Sequence, residues 1–366
     1  MVSALDSSSV AANEDAEVVC NKWIVNPLID LLFVCGGLLL LLVAVHCLVS
    51  GSVTRFSTAS GGYGKILFLV TIIGQHVFTN GHTMATLERV YRTPETRRRF
   101  RFYTVWLPFL SLPLIAAAIA SPLALSIIVA IYLVWTYQHY LSQSFGIALI
   151  YCYKQNYRLS GFEKQSLHGF LLSMGLFVVT TQLSNLSYLK EAFKQLTYKQ
   201  EAFLPPWAPD LVLVAVGAFA CAFAWHIIVR VVRDRQLMPV PALLIVATMI
   251  ALACAVDRSH SLYWLYAPAF LHGSQYIAVV LSMQYKSGRQ EINQDLAIKK
   301  CLAYFGILVA SGIFLYYGIP QVLEQVGINA VLAGTAIFLV VNMHHYATDA
   351  AIWKMREPDL RKQLVC

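Results

Sequence analysis

Ten stretches of this chain are too long and too apolar to fold as anything but membrane-crossing helices. They cover 27–49, 65–88, 102–120, 122–152, 167–184, 210–232, 239–256, 262–285, 301–319 and 328–352. Crossing the hydrocarbon core takes roughly 20 apolar residues. Lipid offers no partner to a backbone N–H or C=O, so each stretch must satisfy its own groups as a helix. The fold class expected is all-α: a polytopic bundle of about ten transmembrane helices, one domain over 27–352. Residues 1–26 read as a disordered cytoplasmic leader and 353–366 as a cytoplasmic tail. The leader is polar and acidic, without the basic and apolar regions of a signal peptide. With 58% hydrophobic and 13% charged residues, no segment remains for a sizeable soluble domain.

The net charge of +8 invites a nucleic-acid reading, but its distribution follows topology. Lys and Arg gather after every even-numbered stretch. Arg89, Arg92, Arg97, Arg98, Arg99 and Arg101 follow the second; Lys154, Arg158 and Lys164 follow the fourth; Arg230, Arg233 and Arg235 follow the sixth. Together with Lys22 and the groups after the eighth and tenth, one face holds 21 of the 27 basic residues. By the positive-inside rule both termini are cytoplasmic. No nucleic-acid partner is expected. The chain reads as a multi-pass integral protein, of the plasma or inner membrane if bacterial.

Six of the ten histidines lie inside or at the ends of these helices: His76, His82, His139, His272, His344 and His345. Imidazole is costly in hydrocarbon unless it faces the bundle interior and has a partner. With the orientation above, His82, His139, His344 and His345 lie about 16–17 residues into their helices, or ~25 Å from the outer face at ~1.5 Å per residue. His76 and His272 lie nearer the midplane. Imidazoles between the midplane and the cytoplasmic edge on four helices predict a metal centre built from these six ligands. Adjacent His344 and His345 point about 100° apart, so one of them faces a given ion unless two ions are present. His76 and His82 share a site only if the Asn80–Gly81 stretch unwinds. His226 is read as structural, and His46, His168 and His260 as surface or packing residues.

Each histidine has a polar companion. Gln75 precedes His76, Gln138 precedes His139, Gln275 lies one turn beyond His272, and Asn342 precedes the His344–His345 pair. A ligating imidazole needs its second nitrogen held by an acceptor, which these amides supply in this reading. Glu88 and Asp349 bridge metals or orient ligands. Tyr137, Tyr140, Gln143 and Ser144 surround His139, and Pro268 lies one turn before His272, where it can bend the helix and aim the ring inward. The eight cysteines are scattered with no CxxC pair, so neither a disulfide framework nor a thiolate site is expected.

Imidazole with carboxylate and no thiolate favours iron, copper, zinc or manganese. The stretches QHVFTNGH, QHYLSQ, FLHGSQ and NMHHYATD resemble the histidine-rich integral-membrane dimetal oxygenases, namely alkane hydroxylases, fatty-acid desaturases and fatty-acid hydroxylases. The resemblance implies iron, two ions or one, hydroxylating or desaturating a lipid-like apolar substrate with O2 and with electrons from a donor protein on the cytoplasmic face. Those families carry eight or more histidines on about four spans. Here Glu88, Asp349 or Asn342 must complete the coordination. Two other readings stand beside it. Opposed histidines such as His139 and His272 suit b-type haem and transmembrane electron transfer. Intramembrane His, Glu and Asp also suit a proton-coupled transporter, although no internal repeat is evident.

Overall fold

The structure, a computed structural model, describes residues 22–41, 44, 69, 72–186, 202–259, 262–291, 293–354 and 363–364; the side chains of 255–259, 262–266 and 287–291 lie outside that set. Every regular element among the described residues is helical. Helix α1 (Pro27–Ile29) runs into a π-helical turn (Asp30–Val34). A second π turn (Gln75–Thr79) leads into α2 (Asn80–Tyr91), followed by α3 (Pro94–Arg99) and α4 (Leu107–Ala120). Then come α5 (Pro122–Lys154), α6 (Gly161–Ser184), α7 (Ala208–Asp234), α8 (Val240–Ser259) and α9 (Leu262–Glu291). Helix α10 (Gln294–Ile313) continues through a π turn into α11 (Ile319–Glu324), and α12 (Ala330–Ile352) closes the bundle.

Six helical segments are long and apolar enough to cross a membrane: Phe102–Ala120, Pro122–Lys154, Gly161–Ser184, Ala208–Asp234, Gln294–Glu324 and Ala330–Ile352. They coincide with six of the ten expected stretches. The other four, 27–49, 65–88, 239–256 and 262–285, each run into residues or side chains outside the described set. The expected leader up to residue 21, His46, His260 and most of the tail also lie outside it. Residues 27–41 do not form one straight helix. Gly36 stands at φ +82°, and a Cβ there would come within 2.5 Å of the Thr248 side chain. Only glycine takes that backbone without strain.

The outward faces carry the apolar surface. Only 6% of the apolar window of α7 is buried, and Leu211, Val214, Trp225 and Val232 point away from the protein. A contiguous exposed surface of this kind is unstable in water and at home in lipid. The helix ends are polar and capped. Ser160 and Glu163 form a reciprocal capping box at the start of α6, and Asn329 Oδ1 accepts from Leu332 N at 2.9 Å at the start of α12. Arg230 of α7 clamps the Glu163 carboxylate at 2.7 and 2.9 Å, tying α7 to α6.

Near the chain's start, fully buried Asp30 accepts from Ile24 N at 2.6 Å, Val25 N at 3.0 Å and the Tyr151 hydroxyl at 2.7 Å. That knot fastens residues 22–34 to α5. The 33-residue α5 packs against α4, α6, α8, α9 and α12. Helix α2 packs against α9, α10 and α12. Helices α2, α5, α9 and α12, which carry His82, His139, His272 and His345, therefore share one interior.

Candidate metal centre

Four imidazoles and one carboxylate meet where those helices cross. They are His82 of α2, His139 of α5, His272 of α9, and His345 and Asp349 of α12; their exposures are 1%, 9%, 2%, 0% and 4%. The ring centroids of His82 lie 4.7 Å from His272 and 4.5 Å from His345, and those of His139 lie 4.7 Å from His272 and 5.1 Å from His345. Two overlapping ligand sets result, His82–His272–His345 and His139–His345–Asp349, each with its donor atoms within 4.8 Å of one another.

The close approach has a local cause. A Cβ on Gly273 would fall 2.7 Å from the backbone of Phe78. Glycine at this position lets α9 press against the π turn, and His272 next to it reaches across to His82. Their Nε2 atoms are 3.1 Å apart. With metal–nitrogen bonds of roughly 2.1 Å, two such nitrogens on one ion subtend about 95°. Asp349 Oδ2 lies 3.5 Å from His345 Nε2 and 3.7 Å from His139 Nε2. Those separations correspond to angles of about 110–125° on a shared ion.

Donor satisfaction points the same way. Among the described residues, both ring nitrogens of His345, Nε2 of His139 and Nδ1 of His272 have no hydrogen-bond partner. Among the described residues, Nδ1 of His82 is buried without one as well. A buried polar atom left without a partner costs about 1–3 kcal/mol. The unpartnered Nε2 atoms of His139 and His345 lie 3.7 and 3.5 Å from Asp349 Oδ2, an arrangement that a bound cation resolves.

Around the ligands stands a second layer that orients them. The Thr86 hydroxyl donates to Asp349 Oδ1 at 2.8 Å. The Tyr276 hydroxyl is 3.2 Å from the same oxygen and 2.7 Å from Thr86 Oγ1, and accepts from Trp353 Nε1 at 3.1 Å. Oδ1 is thus engaged while Oδ2 faces the histidines. Tyr346 stacks on His139 and Tyr140 on His272, both at 4.4 Å between centroids, which fixes the ring planes. Tyr276→Phe should weaken metal binding about 10–100-fold, the usual effect of losing such a support. Competition with a calibrated chelator measures it, and an unchanged affinity would remove Tyr276 from the site.

The remaining expected ligands lie elsewhere. His76 Nδ1 is held at 2.7 Å from Ile72 O, and its Nε2 meets the Tyr317 hydroxyl. Asn80–Gly81 stays helical, so His76 does not join His82. His344 turns away from His345, and its Nε2 lies 2.8 Å from Tyr103 O. Glu88 pairs with Arg92 at 2.7 Å and accepts from Tyr304 at 3.1 Å, two turns beyond His82. The amides do not hold imidazoles. Gln275 donates to Val34 O at 2.9 Å and accepts from Gln143 at 3.0 Å, while Gln138 donates to Ser142 at 3.1 Å. Asn342 donates to Phe338 O at 2.7 Å, and Gln75 Oε1 is buried with no partner among the described residues. His226 rests edge-on against Phe162 at 5.1 Å and His168 lies 4.7 Å from Phe145, both remote from the cluster.

Sequence reading missed Thr86, Tyr276, Tyr346 and Trp353. One signal was present: Thr86 and Tyr276 each stand four residues after a ligand, on the same helix face.

A half-open cavity of about 190 Å³ touches the centre at His139 and Asp349. Tyr346, Tyr276 and Trp353 form its inner wall. No protein family, curated protein or solved structure matches this chain.

Proposed function

We propose that the chain is a membrane-embedded, iron-dependent oxidoreductase that hydroxylates or desaturates an apolar, lipid-like substrate with O2. The observation that carries this reading is the set His139, His345 and Asp349. Two histidines and one carboxylate, buried and opening on an apolar cavity, form the ligand type favoured by non-haem iron oxygenases. His82 and His272 add two imidazoles on the other side. His345 belongs to both ligand sets, and we propose iron there, two ions or one. The ten-span arrangement with both termini in the cytoplasm belongs to the same proposal, supported by the 21-to-6 bias of basic residues. An electron-donor protein would then meet the arginine-rich face around α3.

Iron bound there would supply O2 activation. The protein's own groups do the rest. Thr86 and Tyr276 hold Asp349 with one oxygen aimed at the histidines, and the stacked tyrosines keep the rings from turning. Ile147, Ile150 and Val279 line the cavity with hydrocarbon, which excludes water and admits an apolar chain.

Haem fits these residues poorly. A porphyrin needs open space the width of its macrocycle between opposed imidazoles. His139 and His272 lie 4.7 Å apart by centroid, each backed by a tyrosine at 4.4 Å.

Elemental analysis of detergent-purified protein, with its visible spectrum, tests the proposal. Near-stoichiometric iron without a sharp Soret band is the expected result. A Soret band would sink the non-haem reading, and a preparation with no tightly bound transition metal would make transport the leading alternative.

A further inference from the structure

The cavity beside the centre has an aromatic wall. Tyr346 and Asp349 of α12 and its C-cap residue Trp353 all line it, each about one turn beyond the last on the same helix face. Trp135 of α5 meets Tyr346 at 6.1 Å between ring centroids, and Tyr276 of α9 meets Trp353 edge-on at 5.4 Å. All four of these rings line the cavity, so an aromatic pair stands on either side of Asp349 along α12. Volume limits what can enter. An apolar cavity of roughly 150 Å³ takes up one benzene molecule. About 190 Å³ therefore holds one six-membered ring with a small substituent.

Apart from the ligands His139 and Asp349, the polar lining is confined to Gln138, Ser142 and Gln143 of α5. Further along, Ile147 and Ile150 of α5 and Val279 of α9 supply hydrocarbon. Gln138 is exposed, on the same face of α5 as the half-exposed Ile127, Ile131 and Val134. An amide on the apolar outer face of a membrane helix is costly and marks a functional position. Gln138 donates to Ser142 Oγ at 3.1 Å, which sets an amide and a hydroxyl side by side at the cavity.

We infer that this cavity binds an alkylphenol, with its ring against Trp135 and Tyr346, its hydroxyl on the Gln138–Ser142 pair, and its alkyl group along Ile147, Ile150 and Val279. Both halves of the lining are then used. A saturated ring forgoes the aromatic contacts, and a ring without a hydroxyl leaves the amide–hydroxyl pair unserved. His139 and Asp349, also on the cavity wall, place the ring beside the centre. The inference names a substrate class for the proposed oxidoreductase and rests on that reading for its chemical consequence, but the binding itself requires no metal.

Isothermal titration of hexylphenol into nanodiscs holding the full chain tests this, with empty nanodiscs as the blank and metal content measured on the same samples. Wild type should bind hexylphenol saturably. Its affinity should exceed about fivefold that for hexylcyclohexanol, which lacks the aromatic face, and for hexylbenzene, which lacks the hydroxyl. Gln138→Leu should bring hexylphenol down to the affinity of hexylbenzene; leucine is at home on that exposed apolar face, so the fold is not at stake. Trp135→Leu should erase the preference over hexylcyclohexanol, and both variants should keep their metal. Absence of saturable binding, equal affinity of wild type for either analogue, or unchanged preferences in both variants overturns the inference. Selective binding by protein that carries no metal leaves this inference standing while the oxidoreductase reading fails. Iron-loaded protein that does not discriminate among the three does the reverse.

Discussion

His345→Ala is expected to strip the metal from the purified protein, leaving less than about a tenth of the wild-type content, a larger loss than a missing supporting group causes. His345 is the residue common to both ligand sets and is fully buried. No other described side chain can take its place, because its neighbour His344 is directed to Tyr103 O. The variant should still fold. Neither ring nitrogen makes a hydrogen bond among the described residues, so truncation breaks none and removes two unsatisfied atoms. A chelator should lower the melting temperature of wild type, since an ion that binds only the folded state stabilises it by mass action. The same chelator should leave His345→Ala unchanged. His344→Ala is the control and should keep its metal. If His345→Ala retains full metal, the centre as drawn is wrong.

Asp30→Ala should be the most damaging single change away from that centre. Its carboxylate receives two backbone N–H groups and the Tyr151 hydroxyl in a fully buried position. Alanine leaves all three donors without their acceptor at about 1–3 kcal/mol each, a total of roughly 3 kcal/mol or more. At roughly 2 °C per kcal/mol for a chain of this size, the melting temperature should fall by ~6 °C or more. Asp30→Asn keeps one acceptor oxygen and should lose less. Thermal unfolding in detergent, followed by size exclusion, reads both variants, and a shift under ~1 °C for alanine would contradict the packing described.

The membrane-crossing character of six helices was legible because it depends on composition along a helix. Direction was not, since it depends on which neighbours a helix finds. His344 and His345 share a depth, yet one meets a backbone carbonyl and the other meets three histidine-bearing helices. The π turn at Gln75–Thr79 adds a second obstacle: its wider winding rotates His76 relative to what a regular helix would give. Glu88 looked like a ligand by proximity in sequence, but Arg92 one turn on provides a nearer partner. The amides beside the histidines were expected to orient rings. Tyrosine faces and a threonine–tyrosine pair do so instead, because stacking needs no polar partner in a dry interior.

The five donors span residues 82 to 349, from the second π turn's helix to the last helix of the bundle. No partial chain ending before α12 can assemble either ligand set, since His345 and Asp349 arrive last. An ion held by either ligand set would therefore have to be loaded after the final helix has brought His345 and Asp349 into place.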